Sequence, residues 1–459
     1  MADKTIARRM AEFALELKFE DLPPEVVEEV KRYLYDSIGC AFGGYQDHDV
    51  KGMMDIYTDM GGKPEATLFG SGEKLPAANA TLLNSLMIRA LDYNDIYWKE
   101  DPSHPSDLIP AALAMGERQN SSMKEVIVAI VLAYEFEQRM CLYAKPGVRE
   151  RKWHHATLTQ FVSPIVAGRL LGLSAGQMEN AIGISGGHNF TPGAAAAGQL
   201  SMMKNTVDPM AVQSGVIAAL MAEKGYTGTR AIFEGKEGLN EIMGPEWDED
   251  ALLGGLGDSF KILECSMKAF PTEALTHSHI TCALKIVRDH DVQPDDIKEI
   301  KVTTIARAVD ILFDHEKYNP KNRETADHSL PYTIAAAVVD RKITTDQFSV
   351  ERINDPQIQA VLPKIIGEAS EEFERMFPDK QPSKVVITLT DGSTFKAEVE
   401  YPKGDPREPM TQEDLDMKFE SLTSSLMDND KREKIKATIW NLESLNNMGD
   451  LMKELIVQE

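Results

Sequence analysis

The stretch Val385-Val386-Ile387-Thr388-Leu389, Thr390-Asp391-Gly392-Ser393, Thr394-Phe395-Lys396-Ala397-Glu398-Val399-Glu400-Tyr401 decides how the chain is divided. Two β-prone runs flank an Asp-Gly turn, which is the sequence of a β-hairpin. Upstream, Ile297 to Ile305 (IKEIKVTTI) alternates like a third strand. Helical blocks at 272–290, 325–340 and 355–366 lie among these strands, so this part reads as α+β. Before about residue 268 the pattern is different. Residues 6–19 space apolar groups at helical intervals, and Asp21-Leu22-Pro23-Pro24 opens a second helix through Val26, Val27, Val30 and Leu34, ending near Gly39. Further helix-length blocks follow at 76–91, 107–118, 122–142, 155–172, 174–184 and 208–224, separated by Gly/Pro turns. After the Pro/Gly-rich boundary Tyr401–Pro409 the chain is helical again to its end and is expected to pack back onto the first part. The expected fold is mainly α: an all-α helical domain over 1–268, completed by 406–459, with a smaller α+β domain over 269–405 inserted before the C-terminal helices.

At 459 residues the chain exceeds one compact core, in keeping with that division. Its net charge of −24 argues against a nucleic-acid partner, because phosphate binding needs a basic face. The same charge does not exclude a small anionic ligand, which needs only a few local cations. The four cysteines, Cys40, Cys141, Cys265 and Cys282, are scattered without a CxxC pair, so neither a disulfide scaffold nor a zinc or iron–sulfur site is indicated. The longest apolar run, Val126 to Tyr134, is far short of the roughly 20 residues of a membrane span. The N-terminal segment has no long apolar core and carries several acids, so the expectation is a soluble, cytoplasmic protein.

Candidate chemistry concentrates at helix ends. Arg89-Ala90-Leu91-Asp92-Tyr93-Asn94-Asp95 and His104-Pro105-Ser106-Asp107 bring a cation, three carboxylates, an imidazole and a hydroxyl together after the apolar helix 80–88. Trp153-His154-His155 opens another helix. Lys204 follows the small-residue loop Gly193–Gly198 and suits a carboxylate clamp. Lys268-Ala269-Phe270-Pro271-Thr272-Glu273 leads to His277 and His279 at the change of domain, where ligand clefts are preferred. Arg323 to Tyr332 is dense in donors and acceptors before an Ala/Val helix. Each of these also has a plainer reading, as a helix cap or a solvated loop. Gly183-Ile184-Ser185-Gly186-Gly187 fits the GxSxG pattern, but it follows a helical segment rather than a strand, so it reads as a glycine-rich loop closing near a substrate and not as a nucleophile. No GxGxxG, GxxxxGK[ST] or HExxH is present. Imidazoles, lysines and carboxylates without a nucleotide or metal motif favour acid–base chemistry on a small polycarboxylate.

These motifs, RALDYND with HPSD, WHH, Met203-Lys204 before AVQSGVIAALMAEKGYTGTRAIFEGKEG, KAFPTEALTHSH, RETADHSLPY and YPKGDPREPMTQEDLDMKF, resemble the MmgE/PrpD family in consistent order from about residue 5 to about 455. The resemblance implies a homodimer, a large all-α domain with an α+β lid domain, and no metal or organic cofactor. Members of that family include 2-methylcitrate dehydratase, cis-aconitate decarboxylase and iminodisuccinate epimerase, all acting next to a carboxylate. Arg89, Asn94 and Asp107 are similar to the dehydratase pattern RxLDFND…HPSD rather than to HSxDFDD of the decarboxylases. Glu273 stands where the decarboxylases have a histidine, and Ile96 replaces a threonine common after DFND. The resemblance therefore implies a dehydratase acting on a tricarboxylate, most readily 2-methylcitrate to 2-methylaconitate. Decarboxylation of cis-aconitate, epimerisation of a dicarboxylate and non-catalytic carboxylate binding are the alternatives. The roles that follow are Asp92 and His104 for proton transfer with His154 or His155 beside them, and Arg89, Lys204 and Lys268 for carboxylate recognition. Asp95 and Ser106 orient their neighbours, while His277, Arg323 and Tyr332 close the site from the lid.

Overall fold

The computed structural model describes residues 4–197, 200–244, 246–445 and 447–457. Its first part is an array of helices: α1 (Ile6–Glu16), α2 (Pro24–Tyr45), α3 (His48–Met60), α4 (Ala77–Arg89), α5 (Ile109–Gln119), α6 (Met123–Tyr143), α7 (Ala156–Leu171), α8 (Ala175–Ser185) and α9 (Met203–Glu223). Local chemistry starts several of them. The Thr5, Ser122 and Ser174 side chains accept backbone N–H groups at the first turns of α1, α6 and α8. Pro24 stands at the first position of α2, where its missing N–H has no helical partner to lose. α7 is buried on every side from Ala156 to Gly168, the mark of a central helix. α9 packs across α7, α4 and α8, and α2 across α4.

Two short antiparallel ladders, β1 (Ala66–Thr67) with β2 (Lys74–Leu75) and β3 (Tyr97–Trp98) with β4 (Pro102–Ser103), join loops of this part. A second hydrophobic core lies around a four-stranded sheet of β5 (Ile297–Thr304), β6 (Ile365–Ala369), β7 (Ser383–Leu389) and β8 (Thr394–Val399), in the order β6-β5-β7-β8. β5 runs parallel to β6 and antiparallel to β7, and the β7–β8 hairpin turns through Gly392 at φ +88°. Ile300, Val302, Val385 and Ile387 face the helices His277–His290 and Leu330–Asp340. The fold is mainly α, as the helical periodicity predicts. Some helix boundaries differ from expectation: α2 runs through Gly39 to Tyr45, and the later helix ends at Val361 instead of continuing to 366, because Leu362-Pro363 stops it and Ile365 enters β6.

The C-terminal helices Gln412–Thr423 and Asn429–Trp440 join the first core. Phe419 stacks on Tyr35, with ring centroids 4.3 Å apart, over Gly39, where a Cβ would lie 3.0 Å from its ring. Before them, Gly404 adopts φ +96° and its carbonyl accepts from Met267 N at 3.0 Å. A Cβ there would sit 1.8 Å from Met267 O, so only glycine allows this approach. Lys418 completes the closure from the helix that follows. Its ammonium lies 2.6 Å from Asp36 Oδ1 and donates to Tyr93 O at 2.7 Å and Lys268 O at 2.9 Å. Among the described residues no helix is long and apolar enough to cross a membrane.

Removing one partner of a buried ion pair strands the other without solvent. Lys418→Met is therefore expected to destabilise the protein by about 3 kcal/mol in chemical denaturation, with Asp36→Asn/Lys418→Met recovering part of that loss.

Candidate active site

The last residue of α4, Arg89, and the turn after it build the first wall of the site. Asp92 adopts φ +49°, a left-handed conformation unusual for a residue with a side chain, and such strain clusters at functional positions. Its carboxylate meets three cations. Arg89 Nη1 and Lys268 Nζ (2.9 Å) bind Oδ1, and Lys204 Nζ binds Oδ2 at 3.1 Å. Lys268 Nζ also donates to Asp92 O at 3.0 Å. All four side chains are buried. Burial alone would raise the Asp92 carboxyl, but Lys204, Lys268 and Arg89 outweigh it and hold it well below the usual range. Burial in turn pushes the Lys268 ammonium down from its ordinary value, against the pull of Asp92. A carboxylate so held is a fixed counter-ion and takes up no proton near neutrality. Three cations around one anion leave a local surplus of positive charge, suited to an anionic ligand.

His104 faces this cluster from the start of the turn Pro105–Leu108. Its Nδ1 lies 2.6 Å from the carbonyl of Asp95, so the ring proton is on Nδ1 and Nε2 carries the lone pair. Burial, reinforced by Arg89 and Lys268, depresses its pKa well below the ordinary histidine value. The Asp95 carboxylate accepts from Ser106 Oγ and Tyr134 OH, each at 2.6 Å, and from Ser106 N at 3.1 Å. Asn94 Nδ2 donates to Ser106 Oγ at 2.9 Å and to Asp107 Oδ1 at 3.0 Å. The polar residues of the first motif thus fix one another and aim His104. Asp101, in the intervening link, accepts the N–H groups of Val148 at 2.7 Å and Arg149 at 3.0 Å, which ties the next loop to this one.

That loop delivers His154 and His155 to the start of α7. His155 Nε2 lies 3.2 Å from Asp208 Oδ2 on α9, and its ring is 5.5 Å from that of His104. Burial would raise Asp208, yet the His155 imidazole draws its carboxyl below the ordinary value. His154 Nδ1 accepts the Ala156 N–H at 3.1 Å. Ligand atoms of His154, His155 and Asp208 lie within 4.8 Å of one another, close enough to suggest a metal. The donor chemistry does not fit one. A ring nitrogen that accepts a backbone N–H leaves the proton of neutral His154 on Nε2, with no second lone pair for a cation. The other candidate group, Asp92 with Asp327 and His328, already faces the three cations at Asp92.

Arg89, Asp92, His104, His154, His155, Lys204 and Lys268 all line one cavity of about 870 Å³. Three expected lid residues do not. His277 lines a smaller neighbouring cavity of about 260 Å³ behind Lys268, its Nε2 3.3 Å from Thr272 O. Arg323 pairs with Asp47 and Glu324, pinning the lid to the helical part. Tyr332 is buried in the second core and donates its hydroxyl to Gln347 O. An apolar helix face takes the tyrosine inward, which a motif rich in polar residues conceals. The lid instead contributes His328, in contact with Asp327 and pushed by burial, with Lys204 adding to it, down to about 4. The GISGG stretch does not close over the cavity either. It lies at the end of α8, where Ser185 Oγ donates to Gln160 Oε1 at 3.0 Å and a Cβ on Gly183 would lie 2.2 Å from Thr229 O. Lys204 stands on the first turn of α9, not in a loop, because the helix starts before Pro209 rather than at it. Of the small-residue loop, Gly193, Ala194, Ala196 and Ala197 line the cavity, and Gly198 lies outside the described residues.

Sequence reading overlooked Asp208, seen only as a helix start, and Arg149 and Arg307, which carry no motif. It also overlooked Glu137, inside the apolar helix α6. Glu137 is buried, accepts from Thr159 Oγ1 at 2.8 Å, and is raised by burial to about 8.

Residues 8–250 match the MmgE/PrpD N-terminal domain, and residues 270–444 match the MmgE/PrpD C-terminal domain. The chain is similar to cis-aconitate decarboxylase of Mus musculus, at 26% identity over 98% of this chain and 93% of that protein. Cis-aconitate decarboxylase of Aspergillus terreus is 24% identical over 99% of this chain and 96% of its own. The 2-methylcitrate dehydratase of Salmonella typhi is 22% identical over 84% of each.

Glu137 gives a signed pH dependence. Between its unfolded value and about 8 the folded protein holds a proton that the unfolded chain has released, so stability falls as pH rises through this window. Each pH unit contributes about 1.4 kcal/mol. Relative to wild type, Glu137→Gln is expected to gain about 2 kcal/mol of stability between pH 5.5 and 7.5, measured by denaturant titration at both.

Proposed function

We propose, for a chain that belongs to the MmgE/PrpD family, a lyase acting on a tricarboxylate by acid–base chemistry, with 2-methylcitrate dehydration to 2-methylaconitate as its reaction. The observation that carries this reading is the pairing of a cation surplus with a lone-pair imidazole. Arg89, Lys204 and Lys268 surround Asp92, and His104 presents Nε2 beside them. Carboxylates of the substrate sit against Lys204, Lys268 and Arg89. His104 Nε2 removes the proton from the carbon next to a carboxylate. His155, backed by Asp208 at 3.2 Å, protonates the departing tertiary hydroxyl, which leaves as water while the alkene forms. Asp92 is the anion that gathers the three cations, in place of the proton-transfer role its motif suggests. Burial is the main reason His104 stays unprotonated and free to accept a proton, and Arg89 and Lys268 add to it; a bound polyanion offsets the share of those two cations and so raises the basicity of the imidazole.

A second reading, decarboxylation of cis-aconitate, is favoured by the near full-length similarity to relatives of that name. There the same cations would hold two carboxylates while a third leaves as CO2, and an imidazole would return a proton to carbon.

Incubation with 2-methylcitrate, citrate and cis-aconitate separates the readings. Dehydration raises the absorbance of a conjugated alkene without gas, whereas CO2 from cis-aconitate selects the second reading. Tight binding with no turnover of any of the three would sink both. His104→Ala is expected to keep its fold and lose at least about 100-fold in kcat, and Lys204→Ala chiefly to raise KM. Full activity in folded His104→Ala would remove the proton-transfer assignment.

A further inference from the structure

The cavity extends well beyond the three cations of the catalytic cluster. Its volume of about 870 Å³ lies toward the top of the roughly 300–1,000 Å³ range that accommodates drug-sized ligands, more than a seven-carbon acid fills. The added space is bounded by the lid. Trp98 and Phe377 form an apolar wall, with ring centroids 6.0 Å apart in an edge-to-face arrangement. Arg307, on the lid helix Ala306–Leu312, lies over the Trp98 ring at 5.7 Å and pairs with Glu150 at 2.9 Å. Arg149, next to Glu150 on the loop held by Asp101, lines the same space. Among the described residues its guanidinium makes no hydrogen bond or ion pair. Burial and the nearby Arg307 push Arg149 down from its ordinary value, against the more distant pull of Glu273, Asp101 and Glu150, none of which pairs with its guanidinium. Of the acids on this wall, Glu374 accepts the Ala306 N–H at 2.9 Å, and Asp314, raised by burial, lies beside Lys317.

We propose that the lid half of the cavity is a second anion subsite, in which Arg149 and Arg307 receive the distal carboxylate of a ligand whose chain runs along Trp98 and Phe377. The substrate class then includes polycarboxylates extended by an alkyl arm that ends in a carboxylate. Glu150 occupies Arg307 in the empty site and competes with that group. The proposal takes from the preceding section only where the near end of the ligand sits.

Calorimetric binding of three probes tests it without requiring turnover: tricarballylate, tricarballylate bearing a pentyl arm, and tricarballylate bearing a 4-carboxybutyl arm. Wild type is expected to bind the carboxylate-ended probe at least about tenfold more tightly than the pentyl one. Arg149→Gln and Arg307→Gln should each cut that advantage to below about threefold while leaving plain tricarballylate binding within about twofold. Glu150→Gln should widen the advantage, because it releases Arg307, whereas a purely structural ion pair would give a loss. Equal affinity for the two armed probes, an advantage indifferent to both arginines, or a loss in Glu150→Gln overturns the subsite. Binding of plain tricarballylate with no gain from the added carboxylate counts against the subsite alone. Binding of only the carboxylate-ended probe counts against the proposed function and leaves the subsite standing. Failure of all three probes overturns both.

Discussion

One buried carboxylate, Asp92, holds the site together. Without it, Arg89, Lys204 and Lys268 would be three like charges in a low-dielectric space, and their mutual repulsion would open the turn that carries them. With it, helix α4, helix α9 and the segment entering the lid converge on a single point. The left-handed backbone of Asp92 is part of the same constraint, because it turns the side chain back across the end of α4 toward both lysines. The cluster is satisfied internally yet keeps a net positive charge, so it can be stable when empty and still favour a polyanion.

Support for this point comes from distant parts of the chain. Lys418, in a C-terminal helix, donates to the carbonyls of Tyr93, next to Asp92, and of Lys268, itself one of the three cations. Asp36 on α2 supplies its counter-charge. Gly404 grips Met267, one residue before Lys268. The C-terminal segment therefore closes the first core and also fixes the spacing between Asp92 and Lys268. Ile96 and Trp98, three and five residues after Tyr93, belong to the second core, so one short loop is packed against both parts of the molecule.

The helical array, the hairpin and the polar first motif were legible because each rests on local pattern: 3.6-residue spacing, an Asp-Gly turn, and ionisable groups at the end of an apolar helix. Arg89, Asp92, His104, His155, Lys204 and Lys268, each picked out by its motif, line one cavity. What escaped was set by three-dimensional contact. β6 has no alternation and forms because β5 offers an edge. Tyr332 follows polar residues, but its helix turns it into the core. Asp208 looks like a helix start, and only the approach of α7 to α9 gives it His155 as a partner. Arg149 and Arg307 are far apart in sequence and line one cavity because the lid lies over the loop after α6, where Arg307 pairs with Glu150. The setting of Asp92 escaped for the same reason: a motif shows a carboxylate but not how many cations surround it.

The contrast between the whole chain and its pocket has a further physical consequence. A protein of net charge −24 repels polyanions over most of its surface. Against that background, cations recessed in a cavity act as a selective sink, because a ligand gains their attraction only after entering where screening by salt is weak. Selectivity then follows from the geometry of the carboxylates rather than from total charge, since a misplaced carboxylate meets Glu150, Asp310 or Asp314 on the cavity wall instead of a cation. The same arrangement links binding to chemistry. In the proposed reaction the cations that would hold the substrate are also those that add to burial in suppressing protonation of His104, so a ligand that neutralises them raises the basicity of the imidazole by the share they contribute. An anion that fails to reach Arg89 and Lys268 leaves that share in place.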